Sequence, residues 1–236
     1  MINPARAHRE RVLAAMRGGV DEPMDARSEN QYELMLMQLA EHRRRLKQIQ
    51  SIERKIEVKR QLLPEYAPYI QGVLQGNSGR QDDVLMTVLV WYIDTGEIEK
   101  ALQIAEYALQ HDLQTPDRYE RSLACLVAEE VADTSLKLMD SESAVSPKLI
   151  GKTISLTEEH DMFDQVRARL LKAYGMSLTK SGNQTEAVEP LKRALELDDR
   201  SGVKKLIEQT EREIKKNSTK PTELETANAE QAQPES

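Results

Sequence analysis

From Glu29 to Leu63 no proline or glycine interrupts the chain, and Tyr32, Met35, Leu39, Leu46, Ile49, Ile56 and Leu63 recur at heptad-like spacing. The pattern predicts one helix of about 35 residues, ~50 Å long at 1.5 Å per residue. His42, Glu53 and Arg60 interrupt the apolar seam. A helical hairpin or an oligomerising helix therefore fits better than a two-stranded coiled coil. Pro64 and Pro68 are expected to stop this helix, and QGVLQGNSGR to form a glycine-rich break. Upstream, NPARAHRERVLAAMRGG reads as a short helix that Asn3 caps, Pro4 opens, and Gly18 and Gly19 end. The polar stretch VDEPMDARSEN links the two.

A second pattern lies further on. LMTVLVWYIDTGEIEKALQIAEYALQHD aligns with LLKAYGMSLTKSGNQTEAVEPLKRALELD at an offset of 86 residues. Gly96 falls on Gly182, Ala101 on Ala187, Ala108 on Ala194, and Leu109 on Leu195. A turn glycine followed by small residues at this spacing suits a tetratricopeptide-like helix pair. The alanines let two antiparallel helices approach, and the glycine lets the chain reverse. The second copy carries Gly175 where the first has Leu89. Helices between the pairs are expected at 119–139 and 147–157. The fold class is all-α: an N-terminal helix and a long basic helix over 1–76, then a tetratricopeptide-like body over 77–216. The segment 217–236 has almost no apolar content and is expected to be a disordered tail.

Composition strengthens the helical reading, because the chain is 39% hydrophobic, 4% aromatic and 31% charged. No apolar run approaches the ~18 residues of a membrane span, and no signal-peptide pattern opens the chain, so a reducing cytoplasm is expected. The single cysteine, Cys125, sits in an apolar helical run and is expected to be buried and inert.

Net charge is −7, but residues 1–80 hold 14 Lys/Arg against 10 Asp/Glu. That asymmetry points to an N-terminal end suited to polyanions. Between residues 41 and 60 eight cations face three glutamates. Arg43, Arg44, Arg45, Lys47, Arg54, Lys55, Lys59 and Arg60 are the candidate DNA-binding residues, since cations recurring every turn or two can neutralise successive phosphates. A solvated helix face is the competing reading. Arg6, Arg9 and Arg11 could add backbone contacts.

Other chemistry is sparse. QGNSGRQ lacks the Lys-Ser/Thr end of a phosphate loop, and His8, His42, His111 and His160 show no ligand spacing. No cofactor or metal is expected. Asp82 and Asp83 invite a metal-dependent nuclease reading. Adjacent helical side chains point about 100° apart, however, and no carboxylate stands at i+4. Asp82 fits better as a helix N-cap, supported by the helix dipole.

The stretches NPARAHRERVLAAM, YELMLMQLAEHRRRLKQIQSIERK, KRQLLPEYAPYIQGVL, QDDVLMTVLVWYIDTGEIEKALQIAEYAL and DDRSGVKKLIEQTEREIK resemble the small terminase subunit of temperate contractile-tailed phages with cohesive-end genomes. QDDVLMTV followed by W and DTG is the most specific piece. The resemblance implies binding of viral double-stranded DNA at the packaging (cos) site. It also implies a homo-oligomer that works with a large subunit carrying the ATPase motor, in a holoenzyme that cuts concatemers and fills procapsids. It is often named the endonuclease subunit, yet no nuclease motif is present. Residues 215–236 hold three Lys against four Glu, unlike the basic tail relatives can carry, so DNA contact is expected in the N-terminal helices. Two other readings stand beside it: a nuclease using Asp82 and Asp83, and a helical-repeat adaptor with no DNA role.

Overall fold

The structure, a computed structural model, describes residues 3–18, 25–115 and 121–218. These form helices and connecting turns, with no strand. In chain order they are α1 (Pro4–Ala15), α2 (Ala26–Lys47), α3 (Ile52–Gly76), α4 (Asp83–Asp94) and α5 (Ile98–Gln110). There follow α6 (Leu123–Asp140), α7 (Pro147–Thr157), α8 (Asp164–Lys180), α9 (Gln184–Leu197) and α10 (Lys204–Ser218). The all-α expectation holds. The expected tail lies outside the described residues from 219 onward, while 217 and 218 end α10. Of the expected linker VDEPMDARSEN, 20–24 lie outside the described residues, Asp25 caps α2 and 26–30 are already its first turns. No described helix is long and apolar enough to cross a membrane.

The helix starts follow local chemistry. Asn3 Oδ1 accepts from Ala5 N at 3.0 Å, and Pro4 occupies the first turn of α1. Asp25 caps α2, Ser51 caps α3, Asp82 caps α4 and Ser122 caps α6. Each side-chain oxygen satisfies a backbone N–H that the helix leaves unpaired.

The single long helix expected over 29–63 is two helices. α2 ends at Gln48, and Ser51 Oγ accepts from Arg54 N at 3.3 Å to start α3. The two run antiparallel, with Gln38 Nε2 donating to Glu65 Oε2 at 2.9 Å and His42 meeting the Tyr66 hydroxyl at 2.7 Å. The heptad-like seam is folded inward: Met35, Leu39, Leu46 and Leu63 are all buried within the chain. Nor do Pro64 and Pro68 stop a helix, since both lie inside α3. An interior proline costs about 3 kcal/mol. Here α3 is held by Leu62, Leu63, Tyr66, Tyr69, Ile70 and Val73, all buried. Tertiary packing overrides local propensity.

The expected glycine-rich break is likewise largely helix. Gly72 and Gly76 sit in the last turns of α3, where α1 crosses. A Cβ on Gly72 would lie 2.2 Å from Arg11 O, and one on Gly76 2.4 Å from Ala15 O. The chain leaves α3 through Asn77, in the left-handed region at φ 47°. Gly72→Ala is expected to push α1 off α3 and destabilise the protein by ~1–3 kcal/mol, the usual range for overpacking. Thermal unfolding reads this as a lowered Tm.

α4 is the central helix. Residues Val84–Ile93 are all buried, so the apolar run is hydrophobic all round because it is surrounded. The core built on it spans α1 to α8. A smaller cluster of Leu178, Ala187, Leu191, Val203 and Ile207 joins the end of α8 to α9 and α10, with Tyr174 touching both. Cys125 is free and buried.

The two helix pairs aligned in sequence turn alike. Gly96 and Gly182 have φ of 81° and 86°. Glu97 N donates to Tyr92 O at 2.8 Å, and Asn183 N to Leu178 O at 2.9 Å. Ala101, Ala108, Ala187 and Ala194 are each 0% exposed. The pairs differ at the small position. Gly175 allows Leu191 within 2.5 Å of where its Cβ would stand, whereas Leu89 fills the core around α4.

Candidate nucleic-acid interface

Folding α2 back along α3 gathers part of the basic segment. Arg43 and Lys47 from α2 and Lys55 and Lys59 from α3 line one groove of about 420 Å³. Leu46, Val90 and the nearly buried Trp91 line it with them. Arg54 and Arg60 line a different groove, of about 790 Å³, between the start of α3, the α4–α5 turn and α6. Arg44 is paired with Glu41, Arg60 lies 3.6 Å from Glu57, and Arg45 is exposed and lines neither groove. The eight residues thus divide into two lined grooves and an exposed flank. Arg6 is paired with Glu10 at 2.6 Å, and Arg11 Nη2 lies 3.2 Å from His8 Nδ1.

The far wall of the first groove is acidic. Asp94, from the DTG turn, pairs with Lys59. Glu130, from α6, also lines the groove. Burial pushes the Glu130 carboxyl above its ordinary value, and the charges of Asp94 and Asp133 add to this; Lys59 and Arg121 oppose it. A raised carboxyl contributes stability that is complete below its unfolded pKa, about 4.3. That contribution is lost as pH rises through the folded value. Glu130→Gln is therefore expected to unfold like the parent near pH 4 and at higher temperature than the parent at pH 7. Thermal melts across that range check it. Nothing local to 41–60 pointed to Glu130, which arrives from about 75 residues away through the packing of α6 on α4.

Asp82 and Asp83 part company. Asp82 is 0% exposed. Its Oδ1 accepts from Leu85 N at 2.8 Å, and its Oδ2 accepts from Arg17 Nη1 at 2.9 Å and the Tyr69 hydroxyl at 2.5 Å. Burial pushes this carboxyl up, while the donors Tyr69, Leu85 N and Arg17 pull it down. Burial and the Asp82 charge raise the Tyr69 phenol far above its ordinary value, so it remains a donor. The Arg17 guanidinium lies 3.7 Å over the Tyr32 ring and 3.6 Å from Glu29, which Arg80 also holds at 2.7 Å. Asp82 thus caps α4, as expected, and also fastens α1, α2 and α3 to it. Asp83 is exposed, and its oxygen accepts from Gln81 Nε2 at 3.3 Å. Among the described residues no group of three or more His, Cys, Asp or Glu is placed to hold a metal ion.

Fold and surface together define an all-helical protein whose marked feature is a cationic groove between two antiparallel helices. The chain belongs to the phage small terminase subunit family, whose model matches residues 36–165. It is 43% identical to the "Terminase, endonuclease subunit" of Escherichia phage P2 over 215 residues, covering 91% of this chain and 87% of that relative. It is 24% identical to the "Probable terminase, endonuclease subunit" of Haemophilus phage HP1 (strain HP1c1) over 168 residues, 65% of this chain and 60% of that relative. A model of the ribonuclease HII N-terminal domain matches residues 180–229, a minor part of the chain. No solved structure matches.

Proposed function

We propose that this chain is the DNA-recognising, non-motor subunit of a phage terminase. It binds viral duplex DNA at the packaging (cos) site. With a large ATPase subunit it takes part in cutting concatemers and filling procapsids in the host cytoplasm, and it does so as a homo-oligomer. The observation that carries the reading is the convergence of Arg43, Lys47, Lys55 and Lys59 on one groove. Arg44, Arg45, Arg54 and Arg60 flank it and extend the cationic surface. Residues 1–76 face DNA, and the tetratricopeptide-like body over 77–216 offers surface to the large subunit.

The relatives' names carry the word endonuclease. The geometry of Asp82 supports cleavage by the assembled terminase rather than by an Asp82/Asp83 pair, because Asp82 is enclosed by Arg17 and Tyr69. Binding to a cos duplex, measured over a range of salt, tests the proposal. With four phosphates neutralised, the plot of log K against log salt is expected to fall with a slope of about −3.6. Magnesium and this chain alone are expected to leave the duplex uncut, and adding the large subunit to cut it. Absence of salt-dependent binding at low salt would refute the assignment and favour the adaptor reading.

A further inference from the structure

We propose that an acidic knob at the α7–α8 junction of one copy of this chain docks into the groove between α1 and α2 of the next copy. The proposal rests on the reading that the chain self-associates, and supplies the contact.

The groove is about 570 Å³. Its apolar floor is Val12, Leu13 and Met16 from α1 and Leu34 from α2, with Arg9 and Arg27 at its edges. Among the described residues no carboxylate lines it. Met16 and Leu34 are 53% and 58% exposed, and Met37, one turn further along α2, is 70% exposed. The buried seam of α2 already serves the chain's own core, so this is a second, unpartnered face of the same helix. Apolar side chains this exposed, grouped and rimmed by charge mark an interaction surface.

The knob has the complementary character. Phe163 is 63% exposed and is flanked by exposed Glu158, Glu159, Asp161 and Asp164. Arg167 Nη2 donates to the carbonyls of Thr157, Glu158 and His160 at 3.2, 3.5 and 2.9 Å, which fixes the loop. Arg121, which lines the same cleft as Asp161, Phe163 and Asp164, is paired with Glu129. Phe163 also stands at the N-cap of α8 and makes no side-chain cap. That position favours Ser, Thr, Asp or Asn, so an aromatic ring there breaks a local rule without local benefit. A ring seated in another molecule accounts for it.

An aromatic ring with four carboxylates faces an apolar floor with two guanidiniums. Buried aromatic anchors ringed by charge are the usual centres of such contacts. Within one chain, α1 and α2 pack on α3 and α4, while α7 and α8 pack on α5, α6 and α9. The two patches are different surfaces, so the contact is head-to-tail. It repeats from copy to copy and closes into a ring where the rotation allows.

Sedimentation velocity of the full chain tests this, using a knob variant (Phe163→Ser) and a groove variant (Arg9→Glu with Arg27→Glu). A second knob variant (Glu159→Lys with Asp161→Lys) carries the test where Phe163→Ser alters folding. The parent is expected to associate, and each variant alone to be monomeric, with the contact weakened at least ~30-fold. A mixture of knob and groove variants, each keeping one intact surface, is expected to stop at 1:1 dimers. A monomeric parent overturns both the contact and the self-association reading. A parent that associates while the variants associate equally overturns the contact alone. Monomeric variants whose mixture forms no dimer overturn the head-to-tail arrangement.

Discussion

Asp82→Ala is expected to destabilise the protein by about 3–5 kcal/mol, the cost of breaking a buried ion pair from one side. Three donors lose their acceptor at once: the Arg17 guanidinium, the Tyr69 hydroxyl and the Leu85 N–H. Tyr69 is 0% exposed and Arg17 7%, so water replaces the lost carboxylate poorly. Arg17 Nε already lacks a hydrogen-bond partner, and the closest remaining carboxylate, Glu29, is 3.6 Å away. Asp82→Asn keeps one oxygen, which can still cap α4 through Leu85 N, but it puts an amide nitrogen where Oδ2 accepts from Tyr69 and Arg17, and it removes the charge facing Arg17. It should fall between Asp82→Ala and the parent. Asp83→Asn, on an exposed side chain, should stay within about 0.5 kcal/mol. Urea denaturation of the three variants separates these outcomes. Equal stability of Asp82→Ala and the parent would show that the four-helix junction does not depend on this carboxylate. The same series informs the nuclease question. Cutting lost in Asp82→Ala is read against that variant's measured stability, whereas Asp83→Asn leaves the fold intact for a direct assay.

What could be read from the sequence was what the sequence decides locally. Asn3 and Asp82 cap helices because a short acceptor beside a helix start has one good use. Gly96 and Gly182 both adopt the positive φ that their turns require. The apolar run after Asp83 became the central helix. The break at Gln48–Ser51 had a readable signal, Ser51 followed by Glu53, and the interruptions of the heptad-like seam already put a helical hairpin among the expected arrangements. What hid the place of the turn was the absence of proline and glycine over 29–63. Pro64 and Pro68 misled because a local cost was outweighed by packing of α3 against three neighbours. Gly72 and Gly76 looked like a break and are instead a close crossing, since the residues that need the space belong to α1. The Asp82–Arg17 pair joins positions 65 apart, and Glu130 reaches the groove from α6. Long-range pairings of this kind leave no periodic trace. The candidate DNA site was legible as a charge excess and illegible as a shape, because its shape depends on the hairpin.

Replacing Arg43, Lys47 and Lys55 together by glutamine is expected to weaken binding to cos DNA by roughly a hundredfold at low salt, at about 1 kcal/mol per phosphate contact. The salt slope should fall by about 2.7, or 0.9 for each phosphate no longer neutralised. These three carry no ion pair among the described residues, so their loss strands no carboxylate and the fold should survive. Lys59 is left in place because it holds Asp94. Arg54→Gln with Arg60→Gln changes the other groove, where Glu53 and Glu57 already offset the cations, and should cost less. The acidic wall predicts the opposite sign: Glu130→Gln removes a charge that competes with phosphate for the same cations, and should tighten binding. A folded triple variant with unchanged affinity would remove the groove from the site and leave Arg44, Arg45, Arg54 and Arg60 as its remaining candidates. If affinity falls while the slope stays constant, the groove shapes the contact without neutralising phosphate. The groove is the DNA site only where both fall together and Glu130→Gln moves affinity the other way.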